Sequence, residues 1–195
     1  MSIETLRGEI ARTARELPVR GLVTATVGNV SARCRAGMLI TPTRRAYRDL
    51  RAADVVRLTL DGDPVERAGG EPSLEWPLHA AIYRARPDVG AVVHTHSPYA
   101  TARSFDPTPL VVQTEERAYL GLEAIAVAAE APAGSAQLPA AALEALGDRA
   151  AVLLARHGVV AVGETPGEAL ELCWTVEHQA LIEYLVARAA TPAVG

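Results

Sequence analysis

Two strand-like apolar runs in this chain each end at histidine. Ala91–Val93 leads into His94 and His96, and Ala151–Ala155 leads, after one arginine, into His157 and a glycine. Residues i and i+2 of a strand face the same way, so the first two imidazoles can converge on one ion. The glycine permits a sharp reversal behind the third. The pattern predicts a sheet that carries histidines at the ends of two buried strands.

Three histidines on two strand ends fit a catalytic metal ion with an open coordination position. Zinc is the expected ion, with Mn²⁺ or Fe²⁺ as alternatives, and the absence of a nearby cysteine argues against a structural zinc site. The competing interpretation of His94 and His96 is a pair of surface histidines on an edge strand. We expect His178 to be solvated on a charged helix, and His79 to pack beside the site or support it from behind.

Glu75 is the strongest acid–base candidate, because it lies where a loop becomes a helix. A carboxylate there can reach a nearby metal or move a proton. It could instead only complement the helix dipole.

A second polar group lies earlier in the chain. Thr26, Gly28 and Asn29 form one run, and Thr41 and Thr43 another. Small hydroxyl and amide side chains beside glycine can cradle an anionic group, although each run alone also fits an ordinary turn.

Bulk composition narrows the class of protein. The chain has 195 residues, so we expect one domain, 1–195, with a core of alanine, valine and leucine because only 4% of residues are aromatic. A net charge of -4 argues against nonspecific nucleic-acid binding. No apolar run approaches the roughly 20 residues of a membrane span, and no secretory signal is recognisable. Cys34 and Cys173 are isolated, as expected for a reduced, cytoplasmic protein.

Hydrophobic periodicity predicts alternating helices and short strands. The expected helices are 3–18, 73–86, 98–104, 135–146 and 165–189, with Ser73 and Thr165 as possible N-caps. The expected strands are 29–34, 38–41, 55–60, the run before His94, two around a short helix in 110–130, and a pair in 151–163. Short strands with tight turns favour an α/β fold with a mostly antiparallel sheet.

Four segments, taken together, resemble the class II aldolase/adducin family. The resemblance spans residues 3–186 and is specific because the motifs recur in order and at similar separations. The segments are Gly28–Ser31, Ile40–Thr43, Ser73-x-Glu75-x3-His79 followed by His94-x-His96, and Leu153–Gly158.

The resemblance implies a three-layer α/β/α domain around a central antiparallel sheet, assembled as a homotetramer with active sites between subunits. It implies zinc ligation by His94, His96 and His157. Glu75 matches the residue that donates and accepts the proton and that can also ligate zinc. The positions that hold substrate phosphate match Thr26, Asn29, Thr43 and Ser73, and Gly28 lies among them.

The chain departs from the family's aldolase pattern at several positions. Arg44 replaces a glycine, and Leu74 replaces a serine of the phosphate site. The second proton-transfer group of the aldolases, a tyrosine, is missing; Glu115 is near its aligned position and Tyr119 is the nearest tyrosine. The chain stops at Gly195, so we expect the tail that closes over the aldolase site to be short or absent.

We therefore expect a zinc-dependent lyase that performs retro-aldol cleavage of a small phosphorylated or carboxylated hydroxy-ketone through an enediolate. Zinc acts as a Lewis acid in such chemistry. A guanidinium at position 44 suits a carboxylate or a phosphate. The alternatives on the same scaffold are pentulose-phosphate 4-epimerisation, keto-acid decarboxylation, an iron-dependent oxygenase and a non-catalytic adducin-like binding module.

Overall fold

The computed structural model of the chain describes residues 2–66, 70–121 and 123–189; the side chains of Tyr119 and Leu120 lie outside what it describes. These ranges contain six α-helices: α1 (Ile3–Val19), α2 (Trp76–Ala85), α3 (Pro98–Arg103), α4 (Glu116–Leu120), α5 (Leu138–Leu146) and α6 (Pro166–Ala189). They contain eight strands: β1 (Asn29–Cys34), β2 (Gly37–Ile40), β3 (Val56–Leu58), β4 (Ala91–Thr95), β5 (Leu110–Val111), β6 (Ala124–Ala128), β7 (Ala151–Leu154) and β8 (Gly158–Gly163).

The strands form one sheet in the order β3-β2-β1-β4-β8-β7-β6-β5. Neighbouring strands are antiparallel except β6 and β7, which run parallel. The mostly antiparallel sheet is therefore confirmed. Strand β4 lies between β1 and β8, so the strand that leads into the paired histidines is central.

Helices cover both faces of the sheet. One hydrophobic cluster joins Ile10 of α1, Ala100 of α3 and Val176 of α6, and the other joins Ile82 of α2 and Leu146 of α5. Strand β7 shows how one segment serves both clusters: Leu153 faces the first, whereas its two neighbours face the second. The α/β/α layering is confirmed. No helix of the described ranges is long and apolar enough to cross a membrane.

Helix α2 begins at Trp76, so the prediction that Ser73 caps it is wrong. The backbone N–H of Ser73 instead donates to the carbonyl of Thr41 at 3.0 Å. This pairing holds Ser73 in an extended loop beside the segment after β2, which delays the first helical turn. The Ser73 hydroxyl accepts a bond from the N–H of Glu75 at 3.3 Å.

Helix α5 likewise begins three residues later than predicted, at Leu138 rather than Ser135. The Ser135 N–H donates to the Pro132 carbonyl at 3.0 Å, in a turn that precedes the helix. Helix α6 begins at Pro166 as predicted, and the Thr165 hydroxyl accepts the Glu168 N–H at 3.2 Å, as an N-cap does.

Gly158, the first residue of β8, packs directly against the end of β4. A Cβ at this position would lie 2.0 Å from the carbonyl oxygen of Thr95 and 3.3 Å from the Cα of His96. Only glycine leaves room for this approach, which sets the distance between the two histidine-bearing segments.

We expect Gly158→Ala to lower the free energy of unfolding by about 1–3 kcal/mol, because the added methyl group forces β4 and β8 apart. Gly8→Ala is the matched control: its Cβ would meet nothing within 4 Å, and alanine is the better helix former in α1. Urea unfolding of the two variants and the parent chain tests this. Equal midpoints for Gly158→Ala and the parent would show that the sheet tolerates the methyl group.

Candidate active site

The three predicted histidines come together at one end of the β4–β8 pair. His94 is the fourth residue of β4, His96 follows this strand, and His157 precedes β8. Their ring centroids lie 4.7–4.8 Å apart. The antiparallel register, with Thr95 opposite Val159, produces this meeting.

The ring nitrogens of His94 have separate roles. Nδ1 donates to the backbone carbonyl of Val159 at 2.8 Å, so Nε2 carries the lone pair. That nitrogen lies 2.9 Å from Nε2 of His96. A backbone acceptor behind the ring is a usual way of orienting a metal-binding imidazole.

Glu75 completes the cluster. Its Oε2 lies 3.3 Å from Nε2 of His94, and its Oε1 lies 3.3 Å from Nε2 of His157. The ligand atoms of Glu75 and the three histidines all lie within 4.8 Å of one another. Glu75 occupies the N-cap position of α2 without making a side-chain cap bond, so its carboxylate is free to face the histidines.

This donor set fits a divalent metal ion. Burial, and then the neighbouring imidazoles, lowers the pKa of both His94 and His96 to about 3. At neutral pH the two rings are therefore uncharged, so their nitrogens can lie close together without the repulsion of two imidazolium cations. Among the described residues, the buried Oε1 of Glu75 has no hydrogen-bond partner. Converging lone pairs and a carboxylate oxygen are what a cation binds.

A cavity of about 230 Å³ opens beside the cluster. It is lined by Glu75, His96, His157 and the predicted anion-binding residues Thr26, Gly28, Asn29, Thr43 and Ser73. The loops are joined by a bond from the Thr43 N–H to the Glu71 carbonyl, at 2.9 Å. The structure thus places the predicted metal and anion groups, except His94 and Arg44, around one cavity.

Gly28 has a structural reason to be glycine. Its φ is +79°, and a Cβ would lie 2.7 Å from the carbonyl oxygen of His94. The Tyr47 hydroxyl donates to the Gly28 carbonyl from the other side. The loop that carries Gly28 is therefore fixed directly against the strand that carries His94.

The residues that depart from the family pattern differ in their position relative to the cavity. Leu74 lines the cavity and is 69% exposed. Arg44 is exposed beside Thr43, is not among the described residues that line the cavity, and has a φ of +55°, in the region that glycine favours. Glu115 precedes α4, and the side chain of Tyr119 lies outside the described residues.

His79 and His178 are not part of the cluster. His79 is fully buried and hydrogen-bonds to the side chains of Asn29 and Ser31. His178 is partly exposed on α6, where its ring stacks on Trp174. The expectation that His79 supports the site from behind agrees with these contacts. The sequence did not single out Ser31 by itself as a site residue. It also did not indicate Ala133 and Gly134, and these two residues line the cavity.

The fold is a three-layer α/β/α domain with a mostly antiparallel sheet, and it brings three histidines and a glutamate together at a polar cavity. This is the arrangement expected of a class II aldolase. The chain belongs to the class II aldolase and adducin family: the family profile, Class II Aldolase and Adducin N-terminal domain, matches residues 8–184.

Similar proteins bear aldolase names. The 5-methylthioribulose-1-phosphate/5-deoxyribulose-1-phosphate aldolase of Rhodospirillum rubrum is 39% identical over 175 residues, which cover 90% of this chain and 78% of that protein. The L-fuculose phosphate aldolase of Escherichia coli K12 is 37% identical, over 100% of this chain and 89% of that protein. The L-fuculose-1-phosphate aldolase of Thermus thermophilus superposes with a TM-score of 0.83 at 30% identity, over 97% of this chain and 98% of that one. The predicted family and enzyme class, a class II aldolase of the lyase type, are confirmed.

We expect His157→Ala to lose high-affinity binding of one divalent ion, because the variant removes one converging nitrogen. His178→Ala is the matched control, since that ring lies outside the cluster. Metal analysis after dialysis, and the rise in Tm on adding Zn²⁺ or Mn²⁺, measure the difference. Equal metal content in the two variants would exclude His157 as a ligand.

We expect the metal-free protein to lose stability as the pH falls. Burial lowers the pKa of His79, like that of His94 and His96, to about 3, whereas an unfolded histidine titrates near pH 6.5. Between these values the unfolded chain binds more protons, so the free energy of unfolding decreases from about pH 6.5 towards pH 3. Urea unfolding at about pH 7 and pH 5 measures whether the free energy of unfolding decreases as the pH falls. Equal free energies of unfolding at the two pH values would contradict this expectation.

Proposed function

We propose that this protein is a zinc-dependent aldolase that cleaves a ketose 1-phosphate into dihydroxyacetone phosphate and an aldehyde. One observation carries the proposal: Glu75, two of the histidines and the predicted anion-binding residues line the same cavity. Curated relatives named for ketose phosphates support this substrate class.

The anion pocket favours phosphate over carboxylate. Thr26, Thr43 and Ser73 offer hydroxyl groups, and Gly28 leaves its backbone accessible at the cavity wall. Several small donors around one volume suit the several oxygens of a phosphate. Arg44 is proposed to add a positive charge at the rim of the cavity, next to Thr43, rather than to bind a carboxylate through two N–H groups inside the cavity.

Cleavage breaks the bond between C3 and C4 of the ketose. The C4 hydroxyl gives its proton to a water molecule as C4 becomes the aldehyde, and the bonding electron pair remains with the C2–C3 fragment. A metal ion, when bound, supplies a Lewis acid for the negative charge that develops there. Glu75 is proposed to deliver a proton to C3, and in the synthetic direction to remove it.

Zinc is the proposed metal, held by His94, His96 and His157, with Glu75 as a ligand when no substrate is bound. Imidazole and carboxylate donors without cysteine suit zinc in catalytic sites, and also suit Mn²⁺ or Fe²⁺.

We also propose that the protein is a cytoplasmic homotetramer. Large apolar side chains of α6 are exposed, including Trp174, Tyr184 and Leu185, and they support association between copies of the chain. Cys34 and Cys173 are both free thiols, as expected in the cytoplasm.

We expect Glu75→Gln to abolish C–H exchange while retaining the metal. Zinc-loaded protein is incubated with dihydroxyacetone phosphate in deuterated water. NMR follows the loss of signal from the hydroxymethyl protons, whose carbon corresponds to C3 of the ketose. The amide keeps the shape of the carboxylate but cannot accept the proton, so the rate should fall by about 100-fold or more.

Glu71→Gln serves as the control, because Glu71 is exposed in the loop before Ser73. Pyruvate and glycolaldehyde replace dihydroxyacetone phosphate in parallel samples. Exchange confined to pyruvate would replace the phosphate proposal by a keto-acid one. Full exchange in Glu75→Gln would remove the proton-transfer role.

A further inference from the structure

A row of buried side chains links Glu75 to the interior of the protein. Glu75, His79 and Tyr83 are spaced by four residues at the start and along α2, so they project from one side of it. Asn29 and Ser31 are spaced by two on β1, so they project from one face of the strand. Along the contact between α2 and β1, the side chains of the helix therefore alternate with those of the strand.

Each neighbour in this row is hydrogen-bonded to the next. Asn29 Nδ2 donates to Glu75 Oε2 at 2.9 Å, and Asn29 Oδ1 contacts His79 Nε2. His79 Nδ1 lies 2.6 Å from the Ser31 hydroxyl, which lies 2.7 Å from the Tyr83 hydroxyl. We call these four residues behind Glu75 (Asn29, His79, Ser31 and Tyr83) the relay.

The relay is shielded from water. Ser31 and His79 are 0% exposed, Tyr83 is 1% exposed and Asn29 is 2% exposed. Buried hydrogen bonds of this kind are costly to break, because an abandoned partner finds no water. The arrangement of side chains in the relay is therefore rigid.

The chemistry of the carboxylate sets the direction of every bond. An ionised Glu75 only accepts, so the Asn29 amide must turn its NH₂ to it and its oxygen to His79. His79 must then carry its proton on Nε2 and accept on Nδ1. Ser31 donates to that Nδ1 and accepts from the Tyr83 hydroxyl. Every donor points towards Glu75.

We propose that His79 is a positioning residue for Glu75: acting through Asn29, the relay holds the carboxylate so that Oε2 is bonded and Oε1 is left for proton transfer. Oε1 is the buried oxygen without a hydrogen-bond partner among the described residues, and it faces His157. Asn29 itself also lines the cavity, so the relay ends at the cavity wall beside Glu75. This inference rests on the proposed proton-transfer role of Glu75.

The first test compares His79→Leu with His79→Gln in the zinc-loaded protein. Leucine removes the donor to Asn29, and we expect kcat for C–H exchange of dihydroxyacetone phosphate to fall by about 10- to 100-fold, with KM little changed. Glutamine places an N–H near the position of Nε2 and should restore most of that loss. Metal content and urea midpoints are measured on both variants.

The outcomes separate the two proposals. If Glu75→Gln abolishes exchange while His79→Leu leaves kcat unchanged, the relay is wrong and the role of Glu75 stands. If Glu75→Gln exchanges normally, the proposed proton-transfer role of Glu75 is wrong, and the relay has no catalytic group to position. Equal losses in the leucine and glutamine variants, with metal retained, would show that His79 acts by packing alone.

A second measurement needs no variant at His79 and does not depend on activity. In metal-free protein labelled with ¹⁵N-histidine, the relay requires His79 to be the neutral tautomer with its proton on Nε2. Long-range ¹H–¹⁵N NMR distinguishes the tautomers, and Tyr83→Phe, which removes the last donor, should shift the Nδ1 resonance of His79. A proton on Nδ1 would reverse the bonds and overturn the proposal.

Discussion

The pairing of β4 with β8 is the interaction on which the site depends. Its register sets Thr95 opposite Val159, which brings the residues after one strand to the residues before the other. The same pairing supplies the carbonyl that orients His94. A sheet pairing is held by many backbone bonds and packed on both faces, so it fixes the positions of the three rings relative to one another.

A second constraint comes from the contact of α2 with β1. Apolar residues such as Ile82 bury one part of the helix, whereas His79 and Tyr83 meet the polar side chains of β1. The helix start, and with it Glu75, is thereby fixed against the strand that carries Asn29. The histidine cluster, the Glu75 carboxylate and the loop that leads into β1 thus depend on three adjacent strands, β1, β4 and β8, and on one helix start.

Local patterns were enough to predict most elements, because alternation and periodicity reflect which side of a segment is buried. They failed at Ser73, whose N–H bonds to Thr41, a residue far away in the chain. The spacing of Glu75, His79 and Tyr83 was visible in the sequence, but its meaning depended on which strand would pack against it. The same applies to Arg44, which the sequence suggested for the pocket and the fold leaves exposed.

The sequence by itself determined the chemical identity of the site: three histidines on strand ends, one carboxylate at a helix start, and small donors beside glycine. These follow from residue type and short-range geometry. Only the tertiary structure decided which ring nitrogens face one another, which carboxylate oxygen is bonded and which polar side chains are buried behind it. Those properties arise from contacts between segments distant in the chain, and no local spacing encodes them.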